Sequence, residues 1–355
     1  MSSPTSIHQS PRHQQPPTRS WASTSVSDFQ AVLKSSKRVL ALCGAGLSAS
    51  SGLETFRGAG GMWRDYEASA LATPEAFEKD PGLVWLFYAY RRHKALNAKP
   101  NMGHYALAEL ARAKGEEGFM CLSQNIDGLS QRANHPPAQL KLLHSSLFDI
   151  KCFSCPYIEK DNFSDPVHPS LLIDEASITA RLSAASTPIS LSSASASKPP
   201  TIPLDELPHC PACKTGLLRP GVVWFGESLP KQTLAEVNQW IGRGLIDLCL
   251  MIGTTAQVYP AAGYVQVARM EGARIAVVNM DSRELGAAGG LRSVDFLFEG
   301  DAARVLPDIL GGVVGELEGF VGEVAMVNGA RTGEGEGVEE EEEMDEVQKY
   351  FAASP

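Results

Sequence analysis

Two Cys-x-x-Cys knuckles carry the strongest chemical signal in this 355-residue chain: Cys152 with Cys155, and Cys210 with Cys213. Four thiolates suit a tetrahedral Zn2+, and a shell filled by four cysteines leaves no open position for catalysis. The metal therefore reads as structural, with His209 the alternative ligand. The remaining cysteines, Cys43, Cys121 and Cys249, sit in apolar runs. An odd count with two knuckles points to a reducing compartment rather than a disulfide framework.

Three further clusters could do chemistry. Cys43-Gly44-Ala45-Gly46-Leu47-Ser48 follows an apolar run, with Ala49 at the third glycine position of a dinucleotide fingerprint. Glycines at a strand-to-helix turn let backbone approach a diphosphate, and a helix N-terminus attracts its charge. The same pattern also serves a tight structural turn. Ser123-Gln124-Asn125-Ile126-Asp127 ends a second apolar run. Its polar groups suit a ribose or an amide, and equally an Asx-type turn. His144 stands eight residues before the first knuckle. Such a histidine takes a proton near neutral pH or serves as a satisfied structural group.

These residues need a frame. Val39–Cys43, Phe119–Ser123, Leu248–Ile252, Ile275–Val278 and Phe296–Phe298 are short, continuously apolar runs. Helical patterns over Gly82–Asn97, Gly103–Ala113 and Lys231–Gly242 lie between several of them. Buried strands alternating with helices predict an α/β fold, a Rossmann-like doubly wound parallel sheet. A smaller lobe with a zinc ribbon and helices should accompany it.

Residues 1–27 are rich in Ser, Pro and Gln, carry Arg12 and Arg19, and hold no acid, reading as a disordered arm or a weak targeting segment. Residues 28–310 read as one periodic domain, the expected catalytic unit. Its Rossmann-like lobe takes about 28–55, 105–145 and 225–310, its helical module about 56–104, and its zinc module about 146–224. A Ser/Ala-rich insertion at 161–206 interrupts the zinc module. Residues 311–355 are a Gly/Glu-rich tail, and residues 334–346 hold nine of the 41 acids. Without those nine, 31 basic residues face 32 acidic ones, which excludes a strongly basic nucleic-acid binder. No apolar run reaches 18 residues, so no membrane-spanning helix is expected.

Taken together, the motifs resemble the sirtuin family of NAD-dependent protein-lysine deacylases. The resemblance covers roughly residues 28–310 outside the insertion. It rests on Gly44-Ala45-Gly46-Leu47-Ser48, Thr55-Phe56-Arg57-Gly58, Gln124-Asn125-Ile126-Asp127, His144 and the four cysteines, followed by Val222-Val223-Trp224-Phe225-Gly226-Glu227, Gly253-Thr254-Thr255 and Asn279, in that order. It implies that NAD is consumed as a co-substrate and that one Zn2+ is structural. Gly44, Ala45, Gly46 and Ser48 would hold the diphosphate, and Phe56 and Arg57 a mobile loop over the nicotinamide ribose. Gln124, Asn125 and Asp127 would orient ribose and nicotinamide. Gly253, Thr254 and Thr255 would contact phosphate and ribose, Asn279 the adenosine ribose, and Ala302 the adenine. Phe225, Gly226 and Glu227, with Val258 and Tyr259, would pair with the substrate backbone. His144 would be the general base, and Asn125 would share the catalytic centre. The products would be free lysine, nicotinamide and an O-acyl-ADP-ribose.

Tyr88 and Arg91 are three apart within a helical pattern and share a face. An Arg fork beside a Tyr hydroxyl suits a carboxylate, although such residues also serve as packing and surface groups. The pair resembles class III sirtuins, which remove succinyl, malonyl and glutaryl groups; Ala72, or Ala68, would widen that acyl pocket. Ser145 departs from the family pattern, which has Gly after the catalytic histidine. The alternatives are a plain deacetylase, a mono-ADP-ribosyltransferase at the same NAD site, and a non-catalytic interaction module. Expected partners are acylated protein lysines, with no nucleic acid and no membrane, for a monomer. The mitochondrion is the compartment the resemblance favours, with cytosol and nucleus open.

Overall fold

Strands that are apolar on both faces need helices on both faces, and the large sheet here is covered in that way. The computed structural model describes residues 22–55, 62–63, 66–172, 202–283 and 285–315. Helix α1 (Val26–Ser35) leads into strand β1 (Val39–Cys43). A hairpin of β2 (Met62–Trp63) and β3 (Tyr66–Glu67) precedes α2 (Ala68–Leu71), α3 (Pro74–Lys79) and α4 (Pro81–Asn97). Helix α5 (Met102–Gly118) runs into β4 (Phe119–Ser123), and α6 (Leu129–Arg132) precedes β5 (Leu140–Leu142). Strands β6 (Ile150–Cys152), β7 (Ile158–Glu159) and β8 (Leu218–Pro220) make a small antiparallel sheet. The chain then forms α7 (Lys231–Ile241), β9 (Leu248–Ile252), α8 (Gly263–Met270), β10 (Arg274–Asn279), β11 (Phe296–Glu299) and α9 (Ala302–Val314).

The large sheet has the order β11-β10-β9-β1-β4-β5, all parallel. The expected Rossmann-like sheet is therefore present, and the chain changes direction across it at β1. Ligands bind outside the carboxyl ends of strands at such a switch point. Alternation along the strands sorts the core: Val39, Ala41, Cys43, Phe119 and Cys121 pack with α1, α5 and α9. Leu40, Leu42, Met120 and Leu122 pack with α7 and α8 on the other face.

A third core joins α2, α3 and α4 to the cysteine lobe through Phe77, Trp85, Phe148, Cys152, Cys210 and Trp224. Helix α4 starts cleanly: Asp80 caps Leu83 N–H at 3.0 Å and Pro81 opens the first turn. It is buried nearly all round, from Val84 through Ala89, because it stands between the cleft and the cysteine lobe. Trp85 donates to the Leu218 carbonyl of β8 at 2.8 Å. Arg92, 1% exposed, donates to the carbonyls of Leu147, Asn162 and Ser164 at 2.7–3.0 Å.

Three expectations change. Residues 22–27, read as the end of a disordered arm, are ordered: Ser23 bridges Phe296 on the edge strand and α1 begins at Val26. An edge strand offers unpaired backbone groups, and this segment takes them. The insertion read as 161–206 is narrower, because 161–172 and 202–206 are structured. Pro169–Leu171 and Leu204–Glu206 form single 3-10 turns, and Arg92 binds Asn162 and Ser164. Strand β5, absent from the sequence reading, is too short to show a pattern.

Replacing Arg92 with Met keeps length but strips donors from three carbonyls, that of buried Leu147 among them. We expect a loss of about 2–3 kcal/mol in urea unfolding. A loss under about 0.5 kcal/mol, the range of a neutral surface substitution, would refute a joining role for Arg92.

Candidate active site

The residues singled out for chemistry gather where the parallel strands end. Gly44 follows β1, Gln124 follows β4, His144 lies two residues past β5, Gly253 follows β9 and Asn279 closes β10. A cavity of about 630 Å3 opens there. Gly44, Ala45, Gly46, Ser48, Gln124, Asn125, Asp127, His144, Gly253, Thr254, Thr255 and Asn279 line it. Ala72, Tyr88, Arg91, Phe225, Gly226, Glu227, Val258 and Tyr259 line the same cavity. Ala302 does not line it; it opens α9 just behind. Phe56 and Arg57 lie outside the described residues.

The glycines have a different immediate purpose from the one read off the motif. A Cβ on Gly44 would stand 2.6 Å from Thr254 Cβ, and one on Gly46 would stand 2.7 Å from Gly253 Cα. Gly253 itself has φ +56. The turn after β1 thus lies directly against the turn after β9, sealed by Gly46 N–H donating to Gly253 O at 2.8 Å. The expected strand-to-helix turn is also corrected. Two single 3-10 turns, Ala45–Leu47 and Ala49–Ser51, follow Gly44. Helices that short have little dipole to offer an anion.

Behind this wall runs a chain of hydrogen bonds. Asn101 N–H donates to His104 Nδ1 at 3.2 Å, which places the His104 proton on Nε2, facing Ser48 Oγ at 3.3 Å. Asn125 Nδ2 donates to Ser48 Oγ at 3.2 Å and to Gly44 O at 3.1 Å. Ser48 donates onward to Asp127 Oδ2 at 2.7 Å. The Ser48 oxygen thus uses its proton and both lone pairs inside the protein. Its side chain orients Asn125 and Asp127 and has no capacity left for a diphosphate. His104, 1% exposed, was missed from sequence. Its pKa is pushed down to about 4, chiefly by burial, so it stays neutral. The signal was the capping pattern Asn101-x-x-His104, where each side chain bonds the other's backbone.

His144 Nδ1 lies 3.0 Å from the Gln124 carbonyl, which fixes that nitrogen as the donor. Nε2 is then the basic nitrogen. Burial lowers the pKa of His144, and the bond to Gln124 acts in the opposite direction. Ser145 has φ +63, a left-handed conformation that glycine adopts without the steric cost of a Cβ. The His144 carbonyl accepts Val223 N–H at 3.0 Å, tying the histidine to the loop that carries Trp224.

That loop packs against Ala72. Phe225 N–H donates to Ala72 O at 2.9 Å and Glu227 N–H to Trp224 O at 3.0 Å. These two amides are already used within the protein. Glu227 points its carboxylate inward at Arg219, with Nη1 to Oε1 at 2.6 Å and Nη2 to Oε2 at 3.0 Å. Tyr88 is buried in the wall, and Arg91 is half-buried beside it on α4.

In the smaller lobe the sulfurs of Cys152, Cys155, Cys210 and Cys213 all lie within 4.8 Å of one another. Cys152 and Cys213 are 3.8 Å apart, and Cys155 and Cys210 3.7 Å. Tetrahedral Zn2+ with Zn–S near 2.3 Å needs sulfurs about 3.8 Å apart, and these two pairs have that spacing. Ser154 N–H points at the Cys152 sulfur and Gly216 N–H at the Cys213 sulfur, both at 3.3 Å, which favours thiolates.

Residues 44–260 match the model of the Sir2 family, more than half of the chain. The chain belongs to the Sir2 family. A Candida albicans relative named NAD-dependent protein deacylase is 41% identical over 304 residues, covering 82% of this chain and 99% of the relative. The canine (Canis lupus familiaris) NAD-dependent protein deacylase sirtuin-5, mitochondrial, is 38% identical, covering 83% and 87%. Among solved structures, a Sir2 homologue in complex with NAD is 33% identical with TM-score 0.61, covering 81% of this chain and 93% of its own. A mutant Sir2 homologue with 2'-O-acetyl ADP ribose gives 0.63 at 33% identity, covering 81% and 95%.

In this Sir2 chain two of the zinc-site cysteines, Cys152 and Cys210, belong to the same buried core as Trp85 and Trp224. Metal analysis is expected to find one zinc per chain. Stripping it with a chelator should lower the thermal midpoint and loosen the Trp224 loop. Retention of full stability in a metal-free sample would overturn the structural role.

Proposed function

We propose that this Sir2-family chain consumes NAD to remove acyl groups from protein lysines, and that it prefers acyl chains ending in a carboxylate. Succinyl, malonyl and glutaryl are the groups of that kind. The observation carrying the reading is a single cavity lined by the glycine turns and His144 together with Tyr88 and Arg91.

Gly44, Ala45 and Gly46 would receive the diphosphate through backbone, with Gly253, Thr254 and Thr255 opposite and Asn279 at the adenosine ribose. Gln124, Asn125 and Asp127 would orient the nicotinamide half. Their side chains are held in advance: Gln124 Nε2 donates to Thr254 Oγ1 at 3.2 Å, and Ser48 fixes the other two. Phe56, Arg57 and Ala302 keep the roles that the family resemblance implies. NAD supplies the ribose carbon that takes the acyl oxygen as nicotinamide leaves.

His144 Nε2 would accept the proton of a ribose hydroxyl, which frees that oxygen to attack the acyl carbon. Lowered basicity keeps the imidazole neutral, and therefore competent, at physiological pH. Buried walls at Leu147, Val222 and Trp224 exclude water from the acyl transfer. In the same cavity Ala72 would leave room, and Tyr88 and Arg91 would offer a hydroxyl and a guanidinium to the distal carboxylate. Phe225, Gly226 and Glu227 would flank the substrate backbone on one side and Val258 and Tyr259 on the other. Phe225 and Tyr259 are 42% and 62% exposed, as a peptide-facing rim requires.

We take the protein as a monomer acting on acylated proteins. Among the described residues no helix is long and apolar enough to cross a membrane. The compartment we favour is the mitochondrion, supported by the names of the canine and Xenopus tropicalis relatives.

Matched peptides bearing acetyl-, malonyl-, succinyl- or glutaryl-lysine test the acyl reading. Arg91→Met is expected to cut kcat/KM on succinyl-lysine about a hundredfold, as two charge-assisted hydrogen bonds would, and to spare acetyl-lysine. Equal losses on both substrates would sink the carboxylate assignment, and ADP-ribose transfer to protein would favour a transferase. A pH series tests the base. Activity requires neutral His144, so kcat/KM should rise with pH through an acid limb centred below about 6.5, the ordinary histidine value. A limb at or above that value would contradict the assignment.

A further inference from the structure

Tyr88 is 1% exposed, and its hydroxyl oxygen accepts the indole N–H of Trp224 at 3.0 Å. A phenol has one proton to give and can accept through its lone pairs. The indole N–H can only donate, so it settles which partner does which. The Tyr88 proton has no acceptor among the described residues, and Tyr88 lines the cavity that also holds His144. Burial raises the phenol's pKa above its usual 10.0, so the group stays a donor.

Trp224 is itself held firmly. The Arg219 guanidinium lies over its ring, 3.2 Å from the centroid, and Phe77 packs at 5.4 Å. Its backbone N–H donates to Glu227 Oε2 at 2.9 Å. Glu227 in turn carries the bidentate bond to Arg219, on strand β8 of the cysteine lobe. Trp224 and Arg219 are each 2% exposed. A ring held on its faces and at its backbone has one direction left for its N–H, and that direction meets Tyr88.

We propose that Trp224 is a positioning residue for acyl specificity: its indole N–H occupies one side of the Tyr88 oxygen and turns the phenol O–H toward the distal carboxylate of an acidic acyl chain. Arg219 and Glu227 transmit the rigidity of the cysteine lobe to that proton. The inference rests on the carboxylate reading of Tyr88 and Arg91.

Trp224→Phe keeps an aromatic face for Arg219 and deletes the N–H. It is expected to lower kcat/KM on succinyl-lysine by roughly three- to tenfold, the weight of one neutral hydrogen bond, mostly through KM. Acetyl-lysine kcat/KM should fall by a clearly smaller factor, since Trp224 also lines the cavity wall for every acyl chain. In a Tyr88→Phe background the same change should lower succinyl-lysine turnover by no more than it lowers acetyl-lysine turnover, because the partner is gone. Benzothienylalanine at position 224, an indole isostere without the N–H, repeats the test with shape preserved should the Phe variant fold poorly. Equal losses on acetyl and succinyl substrates, or additive losses in the double variant, would overturn the proposal. A wild-type preference for succinyl that both replacements leave intact would remove this proposal alone. Wild-type turnover of acetyl-lysine without succinyl-lysine would remove the carboxylate reading and this inference together.

Discussion

Backbone packed on backbone is the contact on which the site depends. The turn after β1 lies against the turn after β9 so closely that Gly44, Gly46 and Gly253 have no room for a Cβ. This contact fixes the floor of the cleft at the place where the sheet changes direction. It also sets where Ser48 falls. From there the polar chain through Asn125, Asp127 and His104 follows, because Ser48 Oγ is within reach of all three. A side chain on any of the three glycines would push the two turns apart.

Helix α4 is the second constraint, shared between two tasks. One face presents Tyr88 and Arg91 to the cavity, and another puts Trp85 and Arg92 into the cysteine lobe. A helix buried on nearly every side carries its few polar groups at a desolvation cost, so each needs partners. Arg92 meets that cost with main-chain carbonyls, and Tyr88 with the Trp224 indole. The cysteine cluster matters to the cleft for the same reason. It holds β8, and β8 holds Arg219, which carries Glu227 and Trp224.

Much of this was legible from residues alone. Five continuous apolar runs meant strands covered on both faces, and each lies where it was read, since a five-residue run such as Val39–Cys43 has no polar side to expose. The two knuckles announced a four-sulfur cluster because thiol spacing is a local property. The motif order carried the Sir2 resemblance. What failed was local or relational. Strand β5 has three residues and no period to detect. Ser23 looked like part of an unstructured arm because its partner, Phe296, lies at the far end of the chain.

The sequence by itself thus determined the sheet, the metal cluster and the set of polar residues brought to the strand ends. Periodicity and spacing encode these within a few residues of chain. Only the tertiary structure decided how those residues divide the labour. It turned the Ser48 hydroxyl away from ligand duty, brought in His104, aimed Glu227 at Arg219 and set Trp224 against Tyr88. Each of these is a hydrogen bond or ion pair between groups on different elements or turns of the chain. A hydrogen bond depends on distance and direction, and those are fixed only when the elements pack.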